Sequence, residues 1–401
     1  MTEPLRSTAP ATTGTIENIA ACACQSGQTA VFHSQTDGAR LTRRQLGAAA
    51  LALGAAVLPA RAQRAAAPAA AAQAEPLHWP PAPPVLAAQQ QRAFADLAAR
   101  IGSQRPDVQS LVVLHRGHLA FEHYRAGIGA GSLQDTQSVT KSVLALLFGC
   151  ALADGHVRRV DELVAPRLPE LARVGADARV QRLRFSHLLT MTAGWPGEQT
   201  ARRDRDDDLR QLARRPFMAE PGERFAYDNG AANLVALALA NAVGQPLLAY
   251  ARQRLLGPLG IHRLAWRQGA LGHELGALGL SLTTRGMARV GELVLNEGQW
   301  QGRALLPAAF VRAATRRQNA GGYPLGQAYG YLWWVADGAR DRRAARAAAM
   351  ANGYGGQWIY VDPALDLVVA VTSRRTPESA ARGQGLSLIQ RDIVPALQRL
   401  R

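Results

Sequence analysis

The sequence predicts an α/β (α+β) fold in which strands from both chain ends form one antiparallel sheet flanked by helices. Two β-patterned segments, residues 110–114 and 119–124, surround a turn early in the folded part. Three more strand-like segments lie near the C-terminus: 330–335, 357–361 and 366–372. A mostly helical region, about residues 156–318, is inserted between the two groups. The early and late strands can share one core only if the chain ends meet in one sheet.

The individual elements are predicted from periodicity and turn residues. An amphipathic pattern predicts a helix over residues 87–101, and Arg116, Gly117 and His118 form the turn of the hairpin that follows. Ser138 begins an apolar helix that runs to residue 153. Shorter helices are expected over 186–191, 231–243, 247–256, 284–296 and 307–315. A turn over residues 362–365 joins the last two strands, and a closing helix covers 386–400.

Length and charge limit the possible functions. The chain has 401 residues, enough for one large domain or two intimately joined ones. Its formal net charge of +16 is compatible with nucleic-acid binding. The arginines are scattered among acids, however, as in residues 201–208, and neither zinc-finger spacing nor a helix-turn-helix pattern occurs. We therefore expect a basic, solvated surface and no nucleic-acid partner.

Residues 1–62 have the pattern of an export signal. Arg43 and Arg44 precede an uncharged run, residues 46–59, which is followed by a small-x-small cleavage pattern over residues 60–62. The arginine pair is typical of twin-arginine export, and the run is too short for a membrane span. The long region before the pair is explained by an extended leader or by a start codon further downstream. We expect a periplasmic or secreted protein whose partner during export is the twin-arginine machinery.

An Ala/Pro-rich linker is predicted over residues 63–88, and one large folded domain over 89–401. The low-complexity composition of the linker is not expected to pack. Cys22 and Cys24 lie in the predicted signal segment, so the mature chain retains only Cys150. This cysteine lies in an apolar helix and is expected to be a small buried side chain without a disulfide partner.

Lys141 is the only lysine among 46 Lys and Arg residues. Arginine cannot lose its proton in a protein, whereas lysine can and then acts as a base. Lys141 follows Ser138 by three residues, so the two side chains share one helix face and can touch. A serine in the first helical turn also lies beside N–H groups that lack intrahelical partners and can bind an oxyanion.

Two further motifs fit the same chemistry. Tyr227 and Asn229 form a Tyr-x-Asn motif, in which a phenol beside an ammonium can relay protons and an amide can bind a substrate amide. Tyr354, Gly356 and Gln357 belong to the segment Gly-Tyr-Gly-Gly-Gln at a strand start. Paired glycines let a ligand approach the backbone, and the next N–H can complete an oxyanion hole. Each motif alone is a weak signal, but their order and spacing are specific.

The three motifs resemble those of the serine β-lactamase and penicillin-binding-protein superfamily, in particular its class C-like branch. That branch also includes esterases, D-amino-acid peptidases and hydrolases of 6-aminohexanoate oligomers. The resemblance covers roughly residues 87–401 and implies a β-lactamase/transpeptidase-like fold. It also implies an acyl-enzyme mechanism on a small ester or amide, without metal or organic cofactor. No histidine has metal-ligand spacing, and the absence of Gly-x-Ser-x-Gly argues against an α/β-hydrolase.

The resemblance also implies roles for the motif residues. Ser138 would be the nucleophile, Lys141 its activator and Tyr227 a second acid or base, and either Lys141 or Tyr227 can be the general base. Asn229 would hold the substrate, and the backbone N–H groups of Ser138 and Gln357 would form the oxyanion hole. Tyr354 and Gly356 are predicted to line the substrate site with Gln357.

One position departs from the family pattern. The third motif usually begins with Lys or His, whose charge binds a substrate carboxylate, and here it carries Tyr354. This favours an ester or uncharged amide, although an arginine from elsewhere could replace the charge. We therefore expect an exported serine hydrolase that is carboxylesterase-like or cleaves short amide oligomers. Alternatives are β-lactamase or D-alanyl-D-alanine peptidase activity, and a non-catalytic ligand-binding protein on the same fold.

Overall fold

The computed structural model describes residues 79–173, 177–197, 209–336 and 346–400. The predicted signal segment, with Arg43 and Arg44, and most of the predicted linker lie outside these residues. The strands are β1 Val108–His115, β2 His118–Tyr124, β3 Gln134–Asp135, β4 Leu264–Trp266, β5 Leu280–Leu282, β6 Gln299–Trp300, β7 Arg303–Ala304, β8 Asn319–Gly322, β9 Gln327–Tyr329, β10 Trp334–Val335, β11 Ala349–Gly353, β12 Gln357–Asp362 and β13 Leu367–Ser373.

Helices fill most of the remaining described chain. The α-helices are α1 Pro84–Ala93, α2 Leu97–Gln104, α3 Val139–Ala153, α4 Pro169–Arg173, α5 Phe185–Leu189, α6 Leu209–Ala213, α7 Asn229–Val243, α8 Leu247–Ala251, α9 Thr284–Leu295, α10 Ala308–Ala314, α11 Pro377–Arg382, α12 Gln384–Ser387 and α13 Val394–Gln398. Two 3₁₀ turns, Ala165–Arg167 and Ala178–Arg182, and two π-helical turns, Arg252–Leu256 and Leu388–Ile393, complete the set.

The main sheet confirms the predicted fold class. It has eight antiparallel strands in the order β2-β1-β13-β12-β11-β10-β9-β8, so the first hairpin lies beside the last strand of the chain. The β1–β2 turn has positive φ at Arg116 (54°) and Gly117 (74°), the conformation of a tight two-residue hairpin turn. Leu111 pairs with Val371 across the junction of the two chain ends.

Helices cover both faces of this sheet. Gly291 of α9 lies against Ile359, whereas Gly385 of α12 lies against Trp358. Because adjacent residues of a strand point to opposite faces, these helices lie on opposite sides of β12. Helix α3 packs against β11 and β12 and is buried along nearly its whole length. The apolar helix predicted after Ser138 is therefore a core helix whose first turn reaches the sheet.

Several predicted elements differ from those observed. The helix predicted over 87–101 is two helices separated at residues 94–96. The strand predicted over 330–335 is reduced to β10, because Leu332 has φ 55° and turns the chain away from an extended path. Strand β11 was not predicted, since its sequence is Ala-Met-Ala-Asn-Gly and has little β-propensity. The small sheet β3-β5-β4 was also not predicted, because β4 and β5 interrupt the inserted helical region.

The last part of the predicted linker packs against the domain. Trp79 is buried, and its indole N–H donates to Glu292 Oε2 at 2.7 Å. Helix α1 then begins at Pro84, a residue favoured at the first helical position. The proline-rich composition concealed an ordered segment, so the packed chain begins at least ten residues before the predicted boundary at residue 89.

Among the described residues, no single helix is both long and apolar enough to cross a membrane. Helix α7 and the segment Leu247–Leu256 meet that criterion only as a pair, with a bend of 76° between them.

Candidate active site

The small sheet fixes the turn that carries Ser138. Strand β3 pairs with β5, and directly after β3 the backbone N–H of Thr136 donates to Leu280 O at 2.9 Å. In return, Leu280 N donates to Thr140 Oγ1 in the first turn of α3 at 3.1 Å. Gln137, just before Ser138, has φ 52°, a conformation that few non-glycine residues adopt. Ser138, the candidate nucleophile, therefore follows a constrained turn, and the residues Thr136 before it and Thr140 after it are both hydrogen-bonded to Leu280.

Lys141 lies in a cage of oxygen atoms. Its side chain is 1% exposed, and Nζ donates to Ser138 Oγ at 3.0 Å, Asn229 Oδ1 at 2.6 Å and Ala277 O at 2.8 Å. These three acceptors match the three N–H bonds of an ammonium group. Ser138 and Lys141 share a helix face as predicted, and Asn229 joins them from α7.

The same cage also suits a neutral amine. A neutral Nζ has two N–H bonds and one lone pair. Asn229 Oδ1 and Ala277 O can accept the two N–H bonds, which leaves the lone pair directed to the hydroxyl hydrogen of Ser138. No side chain has to move for Lys141 to exchange a proton with Ser138.

Helix α7 contributes a second asparagine to this cage. Asn233 lies one helical turn after Asn229, and its Oδ1 accepts a hydrogen bond from Ala277 N at 2.9 Å. Ala277 is thereby fixed through its N–H while its carbonyl oxygen binds Lys141. Neither Asn233 nor the Ala277 carbonyl was predicted, although the Asn229 to Asn233 spacing was available in the sequence.

A buried ion pair fixes the start of α7. Asp228 caps the helix by accepting from Gly230 N at 3.0 Å. Both of its carboxylate oxygens lie 2.9 Å from Arg215 Nη1, and Arg215 Nη2 donates to Pro196 O at 2.6 Å. Burial raises the pKa of Asp228 above its ordinary value, and the charge and hydrogen bonds of Arg215 oppose that shift. The pair holds the residue between Tyr227 and Asn229 in place.

Tyr227 lies beside the cage through its aromatic ring. The ring centroid is 4.9 Å from Lys141 Nζ, a cation–π distance. The ring also stacks on Trp334 with centroids 5.7 Å apart and planes inclined by 20°. Within the described part of the chain, no hydrogen bond ties down the Tyr227 hydroxyl. The structure thus brings Tyr227 to Lys141 and leaves its phenol group available.

The glycine-rich motif packs directly against the turn before Ser138. A Cβ atom on Gly353 would lie 2.3 Å from Thr136 O, so only glycine permits this approach of β11. Gly356 has φ 103°, and its N–H donates to Gly353 O at 3.1 Å in the β11–β12 turn. The predicted reason for the glycines was close approach of a ligand. The structure gives two local reasons instead: Gly353 permits close contact between two backbone segments, and Gly356 permits a tight turn.

The side chains of Gln357 and Tyr354 have different environments. Gln357 is buried, with Nε2 donating to Ser373 O at 2.9 Å and Oε1 accepting from Ser373 N at 3.2 Å. The side-chain amide of Gln357 therefore joins β12 to β13. A role of Gln357 in substrate binding would have to involve its backbone instead. Tyr354 is 40% exposed. The phenol that replaces the expected Lys or His thus reaches the surface.

A cavity that was not predicted borders Tyr227. Its volume is about 380 Å³, and its lining includes four aromatic residues: Trp195, Phe225, Tyr227 and Tyr323. Arg224 and Met218 also line it. Trp195 connects the cavity wall to the buried ion pair, because the Arg215 guanidinium lies 5.3 Å from its ring centroid. Concave aromatic cavities of this size are typical of ligand sites.

Cys150 and His187, two residues of reactive types, have structural roles in the fold. Cys150 is fully buried, and burial raises the pKa of its thiol to about 12, so it is unreactive. His187 lies in the first turn of α5, where Nδ1 accepts from Arg184 N at 3.3 Å. Among the described residues, no three His, Cys, Asp or Glu side chains form a group that could hold a metal ion.

The sheet built from both chain ends and the adjoining Ser138 and Lys141 define the class of β-lactamase-fold hydrolases. Residues 91–390 match the model of the family described as Beta-lactamase, and the chain belongs to this family. No curated protein matches the chain in sequence.

Solved structures show the same fold at low sequence identity. A family VIII carboxylesterase is 16% identical, with a TM-score of 0.60 over 80% of this chain and 99% of its own. EstCE1, a hydrolase with promiscuous acyltransferase activity, is 16% identical, with a TM-score of 0.58 over 75% and 99%. A penicillin-binding-protein homologue from Caulobacter crescentus is 16% identical, with a TM-score of 0.59 over 77% and 98%. At such identities the likeness establishes the fold, and substrates have to be argued from the site.

Proposed function

We propose that this chain is an exported serine hydrolase that cleaves an ester or amide bond through an acyl-enzyme on Ser138. The observation that carries the proposal is the cage around Lys141, in which the only lysine of the chain is buried 3.0 Å from Ser138 Oγ. A serine hydroxyl becomes nucleophilic at neutral pH when an adjacent base accepts its proton.

The reaction follows from the hydrogen bonds of the cage. Neutral Lys141 accepts the hydroxyl proton while Ser138 Oγ bonds to the substrate carbonyl carbon. The oxyanion accepts hydrogen bonds from the backbone N–H groups of Ser138 and Gln357, and the dipole of α3 adds a favourable field. The leaving alcohol or amine departs with a proton delivered by Tyr227. Water then adds to the acyl carbon by the reverse route and releases the acid.

One feature supports a carboxylesterase-like or short amide-oligomer hydrolase over a β-lactamase or D-alanyl-D-alanine peptidase. Tyr354 places a neutral phenol where the family pattern has a cation. The complete Ser138, Lys141 and Tyr227 set argues against a protein that only binds a ligand.

Covalent labelling tests the nucleophile. The full chain should react with a fluorophosphonate probe, and peptide mapping should place the label on Ser138. Ser138→Ala should abolish labelling, while the control Ser132→Ala, on the loop before β3, should label like the parent. An unlabelled parent chain would favour the ligand-binding alternative. Nitrocefin hydrolysis as efficient as p-nitrophenyl butyrate hydrolysis would favour the β-lactamase alternative.

Export through the twin-arginine route is part of the proposal, and its support is the sequence pattern around Arg43 and Arg44. Replacing both with Lys should leave uncleaved precursor in the cytoplasm, because the export receptor reads the arginine pair. Mature protein from the parent should begin near Gln63. Normal export of the double variant would assign the chain to another route.

A further inference from the structure

The cavity beside Tyr227 combines an apolar wall with one positive charge. Arg224 is the only charged residue among the described residues that line it. Its side chain is exposed, and no hydrogen bond or ion pair joins it to another described residue. This environment contrasts with that of Arg215, nine residues earlier, which is engaged by Asp228 and Pro196.

Exposed apolar side chains form part of the same cavity. Met218 and Tyr323 are 63% and 62% exposed, and both line it. Large apolar side chains that are exposed together around a concavity indicate a surface that a ligand covers. A ligand that covers Met218 and Tyr323 and reaches Arg224 needs an apolar body and an anionic end.

We propose that the cavity binds the acyl chain of the substrate and that Arg224 binds a carboxylate at its far end, so that preferred substrates are half-esters or half-amides of dicarboxylic acids. The proposal rests on the function proposed above and names the substrate class of that site. Tyr227 connects the two regions, because it lines the cavity and its ring centroid lies 4.9 Å from Lys141 Nζ. On this proposal, an acyl chain on Ser138 runs past Tyr227 into the cavity.

The charge on Arg224 is separate from the charge that the third motif lacks. Tyr354 is not among the described residues lining the cavity. The neutral phenol and the arginine consequently act on different parts of the substrate. On this proposal the carboxylate lies in the cavity, where the planar guanidinium of Arg224 can bind it through two hydrogen bonds.

A matched pair of esters tests this arrangement. Mono(4-nitrophenyl) adipate and 4-nitrophenyl hexanoate have acyl chains of equal length that end in a carboxylate and a methyl group. The measured quantity is the ratio of kcat/KM for adipate to that for hexanoate. We expect Arg224→Gln to lower this ratio about tenfold, which corresponds to about 1.4 kcal/mol. Arg224→Lys should restore part of it. Arg214→Gln, which removes an exposed arginine that does not line the cavity, should leave the ratio within about twofold of the parent.

Binding to an inactive variant separates this proposal from the proposed function. In Ser138→Ala, monomethyl adipate should bind more tightly than methyl hexanoate, and adding Arg224→Gln should remove the difference. An adipate-to-hexanoate ratio or binding difference that does not change in Arg224→Gln overturns the role of Arg224. Failure of the parent chain to hydrolyse either ester overturns the proposed function instead, and the binding measurement still decides on Arg224.

Discussion

The two halves of the candidate site differ in how completely their polar groups are paired. In the cage around Lys141, every N–H of the ammonium group has an oxygen partner, and the partners are fixed in turn by Asn233 and the small sheet. On the substrate side, Tyr354 and Arg224 are exposed, and the Tyr227 hydroxyl is not held by any described residue. The bond-breaking chemistry is thus preorganised, while the groups that select the substrate remain available to it.

The largest effect is expected inside the cage. Lys141→Arg should lower kcat/KM for p-nitrophenyl esters on the order of 10²-fold or more, because a guanidinium cannot accept a proton and removal of a general base has effects of that size. Thermal unfolding followed by circular dichroism should show that the fold is retained. Parent-like turnover by this variant would contradict the assignment of Lys141.

A smaller effect is expected on the substrate side. Tyr354→His should raise kcat/KM for nitrocefin relative to p-nitrophenyl butyrate by about tenfold, the lower end of the effect of a charge-assisted hydrogen bond, because Tyr354 is partly exposed. Tyr354→Phe is the matched control, since it removes the hydroxyl without adding charge. Equal changes in both variants would show that the missing charge does not set the substrate preference.

The smallest effect is expected at Asn233, which supports the cage by binding the backbone of Ala277. Asn233→Ala removes the acceptor for Ala277 N and should lower kcat about fivefold with little change in KM, because it loosens one of three groups around Lys141. Asn233→Asp keeps an acceptor oxygen and should recover most of kcat. A fall in thermal stability without any change in kcat would make Asn233 a purely structural residue.

The sequence predicted the residues whose chemistry is unusual and missed those that act through position. Lys141 was identified because it is unique, and Ser138 because of the helical spacing. The Ala277 carbonyl carries no residue-type signal, since every residue has one. Arg215 is one arginine among many, and nothing in the sequence distinguishes its pairing with Asp228. The cavity was missed for a similar reason, because its walls come from three separate chain segments.

The fold, like the site, was predicted from the sequence only in part. The meeting of the chain ends was predictable, because β1, β12 and β13 have continuous β-branched and apolar sequences. Strand β11 and the small sheet depend on tertiary pairing rather than on local preference, and both were missed. They are also the elements that support Ser138, so local sequence preference is weakest next to the site.

The uniqueness of Lys141 permits a direct measurement of its protonation. Protein labelled with ¹⁵N-lysine contains one lysine Nζ, so its NMR spectrum should show a single side-chain amine signal that needs no assignment. If neutral Lys141 activates Ser138, this signal should shift with pH over the same range in which kcat/KM for p-nitrophenyl butyrate rises. A signal that stays that of an ammonium group across the pH range of full activity would contradict the account and make Tyr227 the base.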